Sequence, residues 1–218
     1  MTTPYESTPA MPARPPVRRC GGPRRRPPGP ARWLLLALVA AGAPAPAAAQ
    51  GQVPTAMPEL ERYCQQAPCR RNVAIAVNLA DGRVQEESRP LYRPAIARDS
   101  LSILLGEELE AVAEFDGSQF LGWREVRRRE SARTPVLSFR VSQSPGDPSV
   151  ALQVSNAGNQ PVKLRLFIRT PGAATGDYTS SCPVIAGGSV FEYWSQPVIE
   201  VIVTDALPLG DDGALLCD

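Results

Sequence analysis

Across its 218 residues the chain balances 23 basic against 22 acidic side chains, is 43% hydrophobic and contains no histidine. The missing imidazole excludes Ser-His-Asp and Cys-His nucleophiles, histidine-ligated zinc, copper or non-haem iron, and a histidine-based pH switch. An enzyme built from this chain has only carboxylates, tyrosine, serine and one lysine, Lys163, to work with.

The first element is a leader. Arg24-Arg25-Arg26 precede an apolar run from Trp33 to Ala41, and small residues follow at Ala47 and Ala49. This order predicts a secretory signal peptide over residues 1–49, removed before Gln50, with Met11 as an alternative start. The apolar run is about half of the ~20 residues that a membrane-spanning helix requires, so no span is expected after cleavage. Seven arginines and Glu6 lie in this leader, which leaves 16 bases against 21 acids in the mature part, a net charge of about −5. That balance disfavours nucleic acid or anionic lipid as a partner. The expected location is periplasmic or secreted.

Cys20 departs with the leader, and Cys64, Cys69, Cys182 and Cys217 remain. An even number in an exported chain predicts two disulfides, for which three pairings exist. Cys64–Cys69 with Cys182–Cys217 is favoured, because each pair occupies its own flank of a strand-rich middle. The alternative ties the N-terminal flank to the C-terminal one. A zinc site fits less well, since the four-residue gap between Cys64 and Cys69 has no matching second pair.

Residues 50–71 carry Pro54, Pro58 and Pro68 and read as a short tether clipped by its own disulfide, with one helical turn over Glu59–Tyr63. From Asn72 the period becomes two. Val73, Ile75, Val77 and Leu79 alternate up to the turn Asp81-Gly82. Leu101, Ile103 and Leu105 then alternate, followed by Leu109, Ala111, Ala113 and Phe115 before Asp116-Gly117. This second segment is rich in helix formers, yet the Asp-Gly that ends it favours a strand. Gly122–Glu130 is ambiguous between helix and strand. Leu137, Phe139 and Val141 precede Pro145-Gly146-Asp147, Val150, Leu152 and Val154 run to Asn156, and Val162, Leu164, Leu166 and Ile168 alternate with Lys163 and Arg165. A β-branched run over Val198–Thr204 closes the series, and residues 208–218 read as a polar tail.

Short strands at such spacing predict an all-β domain over residues 72–207, an antiparallel sandwich or barrel. Its expected core is Val73, Ile75, Val77, Leu101, Ile103, Leu137, Phe139, Val141, Leu152, Val154, Leu164, Leu166, Ile199 and Val201. The stretch from Ser149 to Leu166, with Val154-Ser-Asn-Ala-Gly-Asn-Gln-Pro-Val162 at its centre, resembles a strand–turn–strand unit of bacterial immunoglobulin-like domains. That resemblance implies a single immunoglobulin-like antiparallel β-sandwich. The chain departs from antibody-type domains in having no two cysteines on its central strands. Thr179 to Trp194 is similar to a segment of exported proteobacterial proteins, which implies a cellular setting and no chemistry.

Candidate sites are few. Phe191, Tyr193 and Trp194 with Trp123 suggest an aromatic ligand face, against the simpler assignment of alternate members to the core. Arg124, Arg127, Arg128 and Arg129 suggest a grip on phosphate or an acidic polymer, although Glu125 and Glu130 between them fit an ion-paired surface. Asp205, Asp211, Asp212 and Asp218 follow no calcium-loop spacing. Glu108, Glu110 and Glu114 supply carboxylates, but on one side of one strand rather than across a cleft. A Ser-Lys dyad through Lys163 conflicts with its alternation towards solvent beside Arg165. The loops near Arg124–Arg129 and Gly172–Ser181 have the composition of adaptable contact loops. The expectation is therefore an exported module without catalytic residues, cofactor or metal, touching a protein, peptide or glycan of the cell envelope. Its expected contact residues are Arg124, Arg127, Arg128, Arg129, Tyr193 and Trp194. The alternative is a small periplasmic hydrolase that uses carboxylates only.

Overall fold

The computed structural model describes residues 57–128, 130, 134–210 and 217. A short helix, α1 (Met57–Tyr63), precedes a hairpin of β1 (Arg70–Asn78) and β2 (Val84–Tyr92). Then come β3 (Ile96–Ala97), β4 (Ser100–Leu104), β5 (Glu108–Asp116), β6 (Gln119–Glu125) and β7 (Val136–Gln143). The remaining strands are β8 (Val150–Asn156), β9 (Val162–Arg169), β10 (Asp177–Thr179), β11 (Ser189–Trp194) and β12 (Glu200–Pro208). The leader over residues 1–49 and the tail residues Asp211, Asp212 and Asp218 lie outside the described residues.

The strands make an all-β sandwich. One antiparallel sheet has the order β10-β9-β12-β4-β3, and the second has the order β11-β8-β7-β5-β6. Period-two alternation sends Leu101, Ile103, Leu166, Val201 and Val203 inward from the first sheet. Ala111, Leu137, Phe139, Val141, Leu152 and Val154 meet them from the second, and all are buried. The segment rich in helix formers is strand β5, and the ambiguous Gly122–Glu125 is the end of β6. Gly122, at φ +140°, lets β6 approach Arg98, whose carbonyl accepts a hydrogen bond from the Trp123 amide at 2.8 Å. Any side chain at position 122 would collide with that carbonyl.

Strands β1 and β2 belong to neither sheet. They form a separate antiparallel ribbon, closed by the Asp81-Gly82 turn, in which Gly82 has φ +81° and the Asp81 carboxylate accepts the Arg83 amide at 3.0 Å. One face of the ribbon packs Ile75, Val77 and Tyr92 on Leu104 and Ile199 of the first sheet. Ile75, Val77 and Ile199 are thus buried in this second cluster rather than inside the sandwich, and Val73 is only half-buried at its margin. Strand β2 leaves no periodic signal in the sequence, because Val84-Gln-Glu-Glu-Ser-Arg-Pro90 lacks an apolar face.

Two further expectations change. The segment before β1 is clipped by Cys64–Cys69, as its spacing suggested, but it packs more closely than a tether would. Leu60 of α1 is buried against Leu91 and Ala97, and Tyr63, Cys64 and Cys69 close around them. The strand–turn–strand unit is an arch: β8 pairs with β7 and β11, whereas β9 pairs with β10 and β12. Buried Asn156 holds the crossing. Its amide donates to the Gln160 and Val184 carbonyls at 2.8 and 3.3 Å, and its oxygen accepts from the Gly158 amide at 2.9 Å. The second disulfide joins Cys182 to Cys217.

Replacing Leu164, which is buried in the core, with alanine should cost about 2–5 kcal/mol in urea unfolding. The same change at exposed Leu207 on β12 should stay within about 0.5 kcal/mol. Removing Cys182–Cys217, which spans 35 residues, should cost on the order of 3–4 kcal/mol. Removing the five-residue Cys64–Cys69 clip should cost less in the same assay.

Candidate functional site

The outer face of the second sheet is open to solvent and chemically ordered. On edge strand β11 the alternation turns Phe191 and Tyr193 outward, 52% and 70% exposed, while Val190 and Trp194 pack against the core. The two outward rings lie nearly parallel, at 17°, with centroids 6.4 Å apart. The pairing register continues across the sheet. Phe191 stands beside Gln153 of β8, Gln153 beside Arg140 of β7, and Arg140 beside Glu108 of β5. A parallel row runs through Ser189, Ser155, Ser138 and Glu110. Three strand spacings carry each row roughly 14 Å from the aromatic edge.

The β5, β7 and β8 members of these rows line a shallow cavity of about 330 Å³. Arg140 contacts Glu108 at 3.2 Å, Ser138 donates to Glu110 at 3.3 Å, and the Ser155 and Ser189 hydroxyls share a bond of 2.8 Å. Carboxylate acceptors, guanidinium donors, and an amide and hydroxyls that do both are therefore presented together on one face.

The other expected contact residues are arranged differently. Trp194 turns inward and its indole N–H donates to the Thr179 hydroxyl at 3.1 Å, so strand alternation separates it from Tyr193. Trp123 is buried at the centre of the core. Arg124 is occupied: it donates to Glu114 at 2.8 Å and to both oxygens of Glu130 at 2.6 and 2.9 Å. Those bonds from Arg124, with the Arg127 backbone amide, hold the Glu130 carboxyl down at about 2. Arg127 and Arg128 are exposed, and Arg129 lies outside the described residues. Glu114 is thus tied to Arg124, apart from Glu108 and Glu110. Asp205 sits at a bulge in β12, and Lys163 lies opposite Leu207 on β9. The Gly172–Ser181 loop contains β10, and Ser181 is buried with its hydroxyl donating to the Leu164 carbonyl at 2.6 Å.

A second cluster lies outside every sequence expectation. Where the ribbon covers the first sheet, Glu200 is fully buried and Arg169 nearly so. Arg169 donates to Glu200 at 2.8 Å and to the Tyr92 hydroxyl at 2.6 Å, and that hydroxyl donates to Glu200 at 2.6 Å. The Ser102 hydroxyl donates to the other Glu200 oxygen. Arg70 donates to Ser102 and, at 2.6 Å, to Glu107. Burial alone drives the Glu200 carboxyl up, but the Arg93 charge and the bonds from Ser102, Tyr92 and Arg169 outweigh it and hold it below the ordinary carboxylate range. The Tyr92 hydroxyl is pushed well above its usual range by burial and by the Glu200 charge. A glutamate inside the apolar run Val198-Ile199-Glu200-Val201-Ile202 was the available signal, because a buried charge demands a partner.

No protein-family model, curated protein or solved structure matches the chain.

Because the native Glu200 carboxyl titrates below its free value of 4.5, its ionised form stabilises the fold above that pH. The contribution drains away as pH falls through the native pKa. Glu200→Gln should cost about 3–5 kcal/mol at neutral pH and should flatten the loss of stability below pH 4.5, measured by urea unfolding across that range.

Proposed function

We propose that the mature chain is an exported, non-catalytic, immunoglobulin-like module that binds a glycan of the cell envelope on the outer face of its second sheet. One observation carries this reading: the exposed Phe191 and Tyr193 stand on the edge strand from which the two in-register polar rows begin, at Phe191 and Ser189. A sugar ring offers apolar C–H faces and a rim of hydroxyls. Aromatic rings complement the first, and the Gln153, Arg140, Glu108 and serine groups complement the second.

The remaining features support the same setting. Both disulfides suit an oxidising compartment, in line with the leader read from the sequence. Among the described residues no helix is long and apolar enough to cross a membrane. The two-layer antiparallel architecture is the basis for the immunoglobulin-like assignment, which carries weight for fold more than for role. Glu108 and Glu110 favour contact over hydrolysis, since they stand side by side on one strand of an open sheet. Glycoside cleavage needs carboxylates on both sides of the scissile bond.

On an array of neutral oligosaccharides, Phe191→Ala and Tyr193→Ala should each weaken binding by about tenfold, the scale of one lost aromatic contact, with melting temperature unchanged. Absence of saturable glycan binding would overturn the proposal. So would turnover of a bound glycan that disappears in Glu110→Gln.

A further inference from the structure

Around the end of β2 the guanidiniums are matched to carboxylates, with one exception. Arg70 contacts Glu107 at 2.6 Å, Arg169 contacts Glu200 at 2.8 Å, and Arg89 contacts Glu87 at 2.9 Å. Arg93 reaches only to 3.8 Å from Glu200, beyond hydrogen-bond range, and among the described residues its side chain makes no hydrogen bond. Yet only 17% of that side chain is exposed. Its guanidinium carbon lies 6.0 Å from the centroid of the Tyr92 ring. Its guanidinium donors therefore have solvent rather than a protein acceptor, and a carboxylate that displaced this water would gain a charge-assisted bond at a partly desolvated cation.

The place exists. Arg93 lines a cavity of about 320 Å³ between α1, β2 and the loop after β9. One side is charged, with Arg89, Arg93, Arg169 and Glu87. The other is apolar, with Leu60, Leu91 and Ala173. Three guanidiniums here face Glu87 and the underlying Glu200, which leaves one positive charge uncompensated.

We infer that this cavity binds a monocarboxylate with a short apolar tail, its carboxylate on Arg93 and its tail against Leu91 and Ala173. A planar carboxylate accepts two parallel N–H bonds from a guanidinium fork and supplies the single negative charge that the cluster lacks. A phosphate dianion overcharges the same site and leaves the apolar side unused. The site is separate from the glycan face and does not rest on it. The carboxylate can come from a free aliphatic acid or from the C-terminus of a peptide that ends in an apolar residue.

The test is calorimetric titration of the exported, oxidised protein with hexanoate, hexanol, inorganic phosphate, and a leucine-terminated tripeptide in free and amidated forms. Hexanoate or the free peptide should saturate one site, while hexanol, phosphate and the amidated peptide should not. Tighter binding of the free peptide assigns the carboxylate to a chain terminus, and tighter binding of hexanoate assigns it to a free acid. Arg93→Gln should weaken the carboxylate by about tenfold or more. Because that change also removes charge beside Glu200, Ala173→Leu provides a second test. It narrows the apolar side without touching the ion cluster, and should weaken hexanoate while the melting temperature holds. The inference fails if neither carboxylate saturates a site or if phosphate binds as tightly as hexanoate. It also fails if affinity is unchanged in Ala173→Leu or in a folded Arg93→Gln.

Discussion

The burial of Glu200 is the constraint on which the three-layer arrangement depends. A carboxylate with no exposed surface carries a desolvation penalty of several kcal/mol, and it stays ionised only inside a complete set of donors. No single element supplies that set. Arg169 comes from β9, Ser102 from β4 and Tyr92 from β2, while Arg93, just after β2, adds its charge from 3.8 Å. The ribbon is therefore tied to the first sheet by charge as well as by the apolar contacts of Ile75 and Val77 with Leu104 and Ile199. Apolar packing alone tolerates sliding of a two-stranded ribbon. A network with fixed donor directions does not, and the register between ribbon and sheet follows from it.

That arrangement makes the two outer faces of the sandwich unequal. The ribbon covers part of the first sheet's outer face, so its polar residues are enclosed and matched to one another. Among the described residues the second sheet carries no such ribbon; its outer residues are small or polar on β7, β8 and the start of β5, aromatic on β11, and apolar at the Val112–Val136 pair. The same alternation that fills the core with Leu137, Phe139, Leu152 and Val154 places Ser138, Arg140, Gln153 and Ser155 in line on the open side. A rigid inner face thereby holds the outer rows in register, which suits a surface that acts by contact. The enclosed charge network and the open polar sheet both follow from where the ribbon lies.

Much of the fold was legible in the chain. Alternation identified most sandwich strands and nearly all of the core, because a half-buried strand must repeat every two residues. The Asp-Gly and Pro-Gly dipeptides marked three hairpin turns through their tolerance of positive φ. Cysteine spacing identified both disulfides. The site was less legible. Tyr193 was singled out, but grouped with Trp194, which the alternation of β11 sends to the opposite face. Arg124 is among the expected contacts, although the nearby Glu130 already suggests an ion-paired surface; its other partner, Glu114, lies on the adjacent strand and leaves no local signal. Strand β2 was missed, since its residues are held by pairing to β1 and by Tyr92 rather than by an apolar stripe of their own.

What the sequence determined by itself is local and periodic: which segments extend, where they turn, which side of each strand is apolar, and that imidazole chemistry is excluded. These follow from backbone sterics and from neighbours two to four residues apart. Tertiary structure alone decided that β8 and β9 arch between sheets, that β1 and β2 leave the sandwich, and that Glu200 meets Tyr92 across 108 positions of chain. It also decided that Arg93 lines a cavity without a hydrogen-bonded acceptor among the described residues. Long-range pairings of this kind depend on which distant group arrives to satisfy a buried donor or acceptor, and no local pattern carries that information.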